Sequence, residues 1–167
     1  YNIIQDLVTF NLALVERDED TGDWFDTGDH VFSEDEENEL YDISDALFDA
    51  YQNGDYSAEE ALNPPIVAEG PAADIVPVLD ENGYYLIGTT KQFVAYRPIA
   101  SEVDKYAKGK LTADIDMYGI AMLPIGHNRG ESAKHIFAGE FDGQGHTFYN
   151  MTNDLGSLLW PYGNSLI

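Results

Sequence analysis

Four groups of side chains in this sequence have the types and spacing for chemistry. The densest spans residues 141–150, "FDGQGHTFYN". There Asp142 and His146 could act as an acid/base pair, because histidine titrates near neutrality and a carboxylate can orient it. The same residues also spell a turn. Aspartate accepts local backbone N–H groups, and Gly143 and Gly145 supply backbone freedom. Asp142, Gly143 and Gly145 are therefore expected to be structural, with Phe141 and Phe148 pointing inward. A second group is Asp114 and Asp116. On a strand, residues two apart share a face, so this pair could bind a cation or divide acid and base roles. A solvated strand face explains it equally well.

The third group is the acidic run Asp18, Asp20, Asp23, Asp26 and Asp29. Ca²⁺ takes about six to eight oxygens from closely spaced carboxylates and carbonyls, so this loop is the calcium candidate. It is not an EF-hand, since Gly22 falls one position early and Asp29 stands where a glutamate belongs. Without Ca²⁺ the loop is a solvated acidic turn, and no other cofactor is expected. The fourth group is aromatic. Eleven tyrosines and two tryptophans offer flat apolar faces with polar edges. Trp24, Tyr84, Tyr85, Trp160 and Tyr162 are the expected platforms for a glycan or a protein. His30, His127, His135 and His146 lack the spacing of a helical zinc site, and the last three could meet only if the fold stacked them. No phosphate loop, dinucleotide fingerprint or nucleophile elbow is present.

The composition narrows the partners. In 167 residues, thirty-one acids oppose eight bases, a formal charge of −23. Such a chain repels phosphate backbones and anionic lipid, which argues against nucleic acid and membrane partners. The absence of cysteine excludes disulfides, thiol catalysis and Cys-based zinc sites. No apolar run is long enough for a membrane span. The chain starts at Tyr1 without a signal-peptide pattern, so it is read as a processed chain or part of a longer one.

The elements that must position these residues follow from periodicity. Residues 1–17 carry apolar side chains at helical spacing, including Ile4, Leu7, Val8, Leu14 and Val15. A Gly/Asp-rich stretch suggests a hairpin or a compact acidic loop next. Ser33 and Glu36 form a capping-box pattern, followed by Leu40, Ile43, Leu47, Phe48 and Tyr51, with Gly54 as the stop. Residues 1–62 thus read as a helical segment carrying the acidic loop. Residues 63–79 hold four prolines and read as an extended connector. From residue 80 the pattern becomes strand-like: a turn and "YYLIG", then a helix through Phe93 and Tyr96 that Pro98 ends or kinks. "KLTADIDM" follows as one alternating strand, and two short strands flank the glycine turn.

The succession "YYLIGTTKQFVAY", "GKLTADIDMYGI", "LPIG" and "FAGEFDGQGHTFYNMT" resembles the N-terminal, capping part of GLUG-motif β-helix domains. These occur in bacterial cell-surface proteins of the Bacteroidetes type. Residues 111–117, 124–126 and 137–152 carry the likeness, and "GSLLWPYGNSLI" is similar to a degenerate Gly-Leu-Phe-Gly element. The resemblance covers residues 82–167. It departs from the pattern at Pro98, at Trp160 and in the small number of rungs. It implies a mixed fold: an N-terminal helical segment, then the start of a right-handed parallel β-helix with a capping helix over residues 80–167. The implied function is a secreted or cell-surface module for binding, adhesion or structural display, without enzymatic activity. The implied place is the extracellular or outer-membrane surface of a bacterium. Partners would be a glycan, a host or surface protein, further β-helix rungs or a self-assembly partner. The alternative is a fragment of a β-helix polysaccharide lyase or glycoside hydrolase, with Asp114, Asp116 and Asp142 lining a cleft.

Overall fold

The computed structural model describes residues 12–54, 70–100, 104–120, 125 and 137–151. In chain order these form β1 (Ala13–Arg17), β2 (Trp24–His30), α1 (Glu34–Gln52), β3 (Val78–Leu79), β4 (Tyr84–Ile87), α2 (Thr90–Pro98), β5 (Lys108–Leu111), β6 (Ile115–Asp116), β7 (Phe141–Asp142) and β8 (Phe148–Tyr149). The strands make three small sheets, β1-β2, β3-β4-β5-β7 and β6-β8.

The helix expected over residues 1–17 is corrected where the chain is described. Ala13–Arg17 is a strand, paired antiparallel with β2. Leu12 and Leu14, two apart, both pack against the core, so the period here is two. Val15 N–H donates to Gly119 C=O at 2.8 Å, which fixes the hairpin to the turn after β6. The expected capping box does start α1. Ser33 N–H donates to Glu36 Oε2 at 2.9 Å, and Glu36 N–H donates to Ser33 Oγ at 3.3 Å. Lys91 then pairs with Glu36, tying the helix start to α2. Among the described α1 side chains, Leu40 is fully buried.

The proline-rich connector is partly built into the core. Ala72 and Ile75 are fully buried, and Val78 and Leu79 pair with Leu86 and Tyr85 of β4. Thr89 caps α2 by accepting from Gln92 N–H at 3.1 Å. Residues 93–98 are all buried, so α2 is enclosed rather than amphipathic. Pro98 ends it, and beyond it Asp104 N–H donates to Ile99 C=O at 2.9 Å. Around α2 the core is aromatic: Phe93 lies 6.0 Å from Phe141 and 4.7 Å from Phe148, and Tyr96 lies 5.8 Å from Phe141. Tyr96 OH donates to Ala107 C=O at 3.0 Å, which gives this buried hydroxyl its partner.

The expected right-handed parallel β-helix with a capping helix is a correction. The β4-β5-β7 and β6-β8 pairings are parallel, but the sheets are open and do not curl into a closed coil. The physical reason lies in the strand lengths. The run expected as one strand, "KLTADIDM", bends at Thr112 and Ala113 and is divided between two sheets. β6, β7 and β8 are two residues each, and β3 joins antiparallel. The GLUG-type identification and the adhesin reading built on it therefore lose their structural basis. The observed fold is a small mixed α/β arrangement.

Candidate functional site

The turn at residues 142–146 links β7 to β8, which belong to different sheets. Asp142 Oδ1 accepts Gln144 N–H at 3.0 Å, and Asp142 Oδ2 accepts the Gln144 side-chain amide at 2.5 Å. His146 N–H donates to Gly143 C=O at 2.8 Å, and Gly145 takes φ +76°. Both Asp142 oxygens are thus engaged within the turn, and these bonds, Gln144 N–H first, hold its carboxyl below the usual aspartate range. His146 does not meet Asp142. Its Nδ1 lies 3.2 Å from Asp114 Oδ1, on the neighbouring strand segment.

That contact opens a second constellation. Ile115 and Asp116 of β6 pair in parallel with Phe148 and Tyr149 of β8. Ile115 and Phe148 face the core, so Asp116 and Tyr149 share the outer face. Asp114 Oδ1 accepts Thr147 N–H at 2.9 Å as well as the His146 contact. Asp116 Oδ1 accepts Tyr118 N–H at 3.0 Å and the Asn150 side-chain amide at 3.0 Å. Each carboxylate is anchored through one oxygen, and its Oδ2 has no partner among the described residues. The bonds hold both acids below the usual range, Thr147 N–H leading for Asp114 and the Asn150 amide for Asp116. Both are therefore ionised at neutral pH.

Exposed aromatic residues flank this strand pair. Trp24 of β2 lies 6.1 Å from Tyr118 at an interplanar angle of 53°. The two side chains are 41% and 55% exposed, and Tyr149 is 51% exposed. The hairpin is held there by the bridge between Leu14 and Ile120. Tyr118, Tyr149, Thr147 and Asn150 were not singled out from sequence. Tyr118 is two residues from Asp116, but its partner Trp24 is remote in sequence, and the β6-β8 register had to be known to place Tyr149 and Asn150.

The other expected residues fall elsewhere. Tyr84 lies on the outer face of β4, beneath Lys108 Nζ at 4.3 Å and Lys110 Nζ at 4.5 Å, with its hydroxyl bonded to Glu140. That bond leads the shift of the phenol up to about 12. Tyr85 is a core residue, 6.2 Å from Tyr96. Trp160, Tyr162, His127 and His135 lie outside the described residues. In the acidic loop, Asp18 Oδ1 accepts Asp20 N–H at 2.8 Å and Thr21 N–H at 2.9 Å, and Asp26 Oδ1 accepts Gly28 N–H at 2.7 Å. These two carboxylates serve the hairpin backbone. Asp20, Asp23, Asp29 and His30 are exposed along the same hairpin. Among the described residues, no three His, Cys, Asp or Glu side chains converge to hold a metal, and no helix is long and apolar enough to cross a membrane. Comparison with family models, curated proteins and solved structures finds no match to this chain.

Proposed function

We propose that this chain is a non-enzymatic binding and display module whose ligand-facing surface is the outer side of β6 and β8 together with Trp24. One observation carries the reading: an exposed, angled Trp24–Tyr118 pair is tied through Tyr118 N–H to Asp116, and Asp116 and Asp114 are each anchored by one oxygen. Exposed aromatic rings next to pre-positioned polar groups are the usual ingredients of a recognition surface. The non-enzymatic side of the reading rests on solvent access. Asp114 and His146 are 51% and 33% exposed, where water screens a charge pair and little desolvation is available to an acid or base.

The test is a titration against a panel of glycans and extracellular proteins, followed by the fluorescence of Trp24 in a Trp160→Phe background. Trp24→Ala and Tyr118→Ala should each weaken binding by about tenfold or more, the loss typical of a central aromatic contact. A panel with no saturable binder, or binding indifferent to both substitutions, rejects this surface. Long incubations with the same polysaccharides should give no new reducing ends or unsaturated products. Turnover lost on Asp114→Asn would replace the binding reading with the hydrolase or lyase reading.

A further inference from the structure

We infer that the ligand of this surface is an uncharged glycan, its sugar ring resting on Trp24 and Tyr118 and its hydroxyls donating to Oδ2 of Asp114 and Asp116. This rests on the binding reading above and narrows it to one ligand class.

The argument is one of donors and acceptors. An ionised carboxylate only accepts. Asp114 and Asp116 each spend Oδ1 on a backbone N–H and a neighbouring side chain; both residues are exposed, and Oδ2 has no partner among the described residues. A surface rich in acceptors needs a ligand rich in donors. Neighbouring sugar hydroxyls meet that need and can bridge acceptors held on one strand face.

The rings supply the other half. A pyranose carries an apolar C–H face that packs on an aromatic side chain, and a tilted pair 6.1 Å apart offers two such faces. Charge then separates glycans from one another. Uronate and sulfate groups bring acceptors and negative charge against two carboxylates on a chain of net charge −23. They are disfavoured on both counts, and an uncharged polymer is not.

The experiment uses the full chain with four probes: laminarin and mannan as uncharged glycans, polygalacturonate as an acidic glycan, and collagen as an extracellular protein. Binding is measured calorimetrically at low and high salt. The expected result is saturable binding to an uncharged glycan that changes less than about twofold with salt, since no ion pair forms. Asp116→Asn should weaken it by about tenfold, because the amide keeps an acceptor for Tyr118 N–H but replaces Oδ2 with a donor. Tyr118→Ala should do the same by removing one of the two ring faces. Tyr41→Ala, equally exposed on α1, should leave binding unchanged. Melting curves of each variant separate lost binding from lost fold. Preferential binding of polygalacturonate overturns the inference, and so does binding of collagen alone; either leaves the recognition surface standing if Trp24→Ala abolishes it. Failure of all four probes overturns this inference, and failure across the wider panel removes the binding reading as well.

Discussion

Gly139→Ala should do more damage than any other single-methyl addition in the described chain, and the structure indicates how much. An added Cβ at Gly139 would lie 2.2 Å from the Ala107 carbonyl oxygen, with Phe137 Cε2 and Tyr106 C at 3.0 Å. A methyl-to-oxygen contact settles near about 3.3 Å, so the two backbones must part by about 1 Å. That separation would stretch two bonds beyond useful length: Ala138 N–H to Lys105 C=O, now 2.8 Å, and Gly109 N–H to Glu140 C=O, now 2.9 Å. Two amides deprived of partners at about 1–3 kcal/mol each suggest a loss of about 2–6 kcal/mol. At about 2–4 °C per kcal/mol for a chain of this size, the melting temperature should fall by about 10 °C. Gly109→Ala is the comparison. There the Cβ would meet Tyr96 Cζ at 2.9 Å and Phe141 ring atoms at 3.0 and 3.1 Å. Rings can tilt by a few tenths of an ångström, so overpacking of about 1–3 kcal/mol is expected. Thermal and urea unfolding followed by circular dichroism measure both. The same shift would move β7, its turn and β8, so Gly139→Ala should also separate His146 and Asn150 from Asp114 and Asp116. If Gly139→Ala melts within about 2 °C of the parent, or Gly109→Ala proves the worse variant, the close approach of these backbones is not what seats β7.

Three further outcomes are expected. Ser33→Ala, which opens the capping box of α1, should cost about 1 kcal/mol in urea unfolding, with loss of helical signal confined to the transition. Tyr84 and Tyr85 are both pushed up to about 12, the first by its bond to Glu140 and the second by burial. Their protonated forms are favoured by folding, so that stability is complete below about pH 10 and drains away as pH rises toward 12. Absorbance at 295 nm should show a late tyrosine phase coincident with unfolding, and a single phase near pH 10 in the folded protein would contradict it. Asp80 is held low by Tyr84 N–H first, with Lys110 and Asn82 adding to it. A depressed carboxylate stabilises above its unfolded pKa and ceases to do so as pH falls through its folded value. With thirty-one acids, the raw acid curve also contains relief of repulsion. The difference in melting temperature between parent and Asp80→Asn is therefore the quantity to follow; it should be clear at pH 7 and shrink as pH falls below the ordinary aspartate range.

The legible parts of the fold are those whose causes are local. The capping box at Ser33 and Glu36, the stop at Gly54 with φ +79°, the end of α2 at Pro98 and the turn at residues 142–146 each depend on neighbours within a few positions. The parts not legible depend on pairing across the chain. Leu14 and Val15 suit a helix or a strand, and the β2 partner with the Gly119 contact decides for the strand. "KLTADIDM" alternates over its whole length, but Thr112 and Ala113 bend it so that Leu111 and Ile115 enter the core from different sheets. Alternation reports which side chains turn inward; it is blind to a bend that preserves that alternation. The family likeness failed for the same reason, since its motifs are short turns and strands that several sheet arrangements can use.

His146 shows how the same distinction bears on function. Proximity in sequence suggested Asp142, four residues away, but that aspartate satisfies Gln144 with both oxygens. Asp80 is likewise used up, one oxygen on Asn82 and Tyr84 N–H groups and the other on Lys110. Asp18 and Asp26 serve the β1-β2 hairpin. An aspartate in a turn or loop thus usually exists for the backbone beside it. Asp114 and Asp116 differ in one respect: their anchoring donors include groups from a second segment, residues 146–150, which holds both carboxylates on an exposed face that Tyr149 shares. Asp18 and Asp26 also bond through Oδ1 alone, so what sets Asp114 and Asp116 apart is that their anchors come from a second segment and that exposed rings lie on the neighbouring residues, and both depend on the β6-β8 pairing.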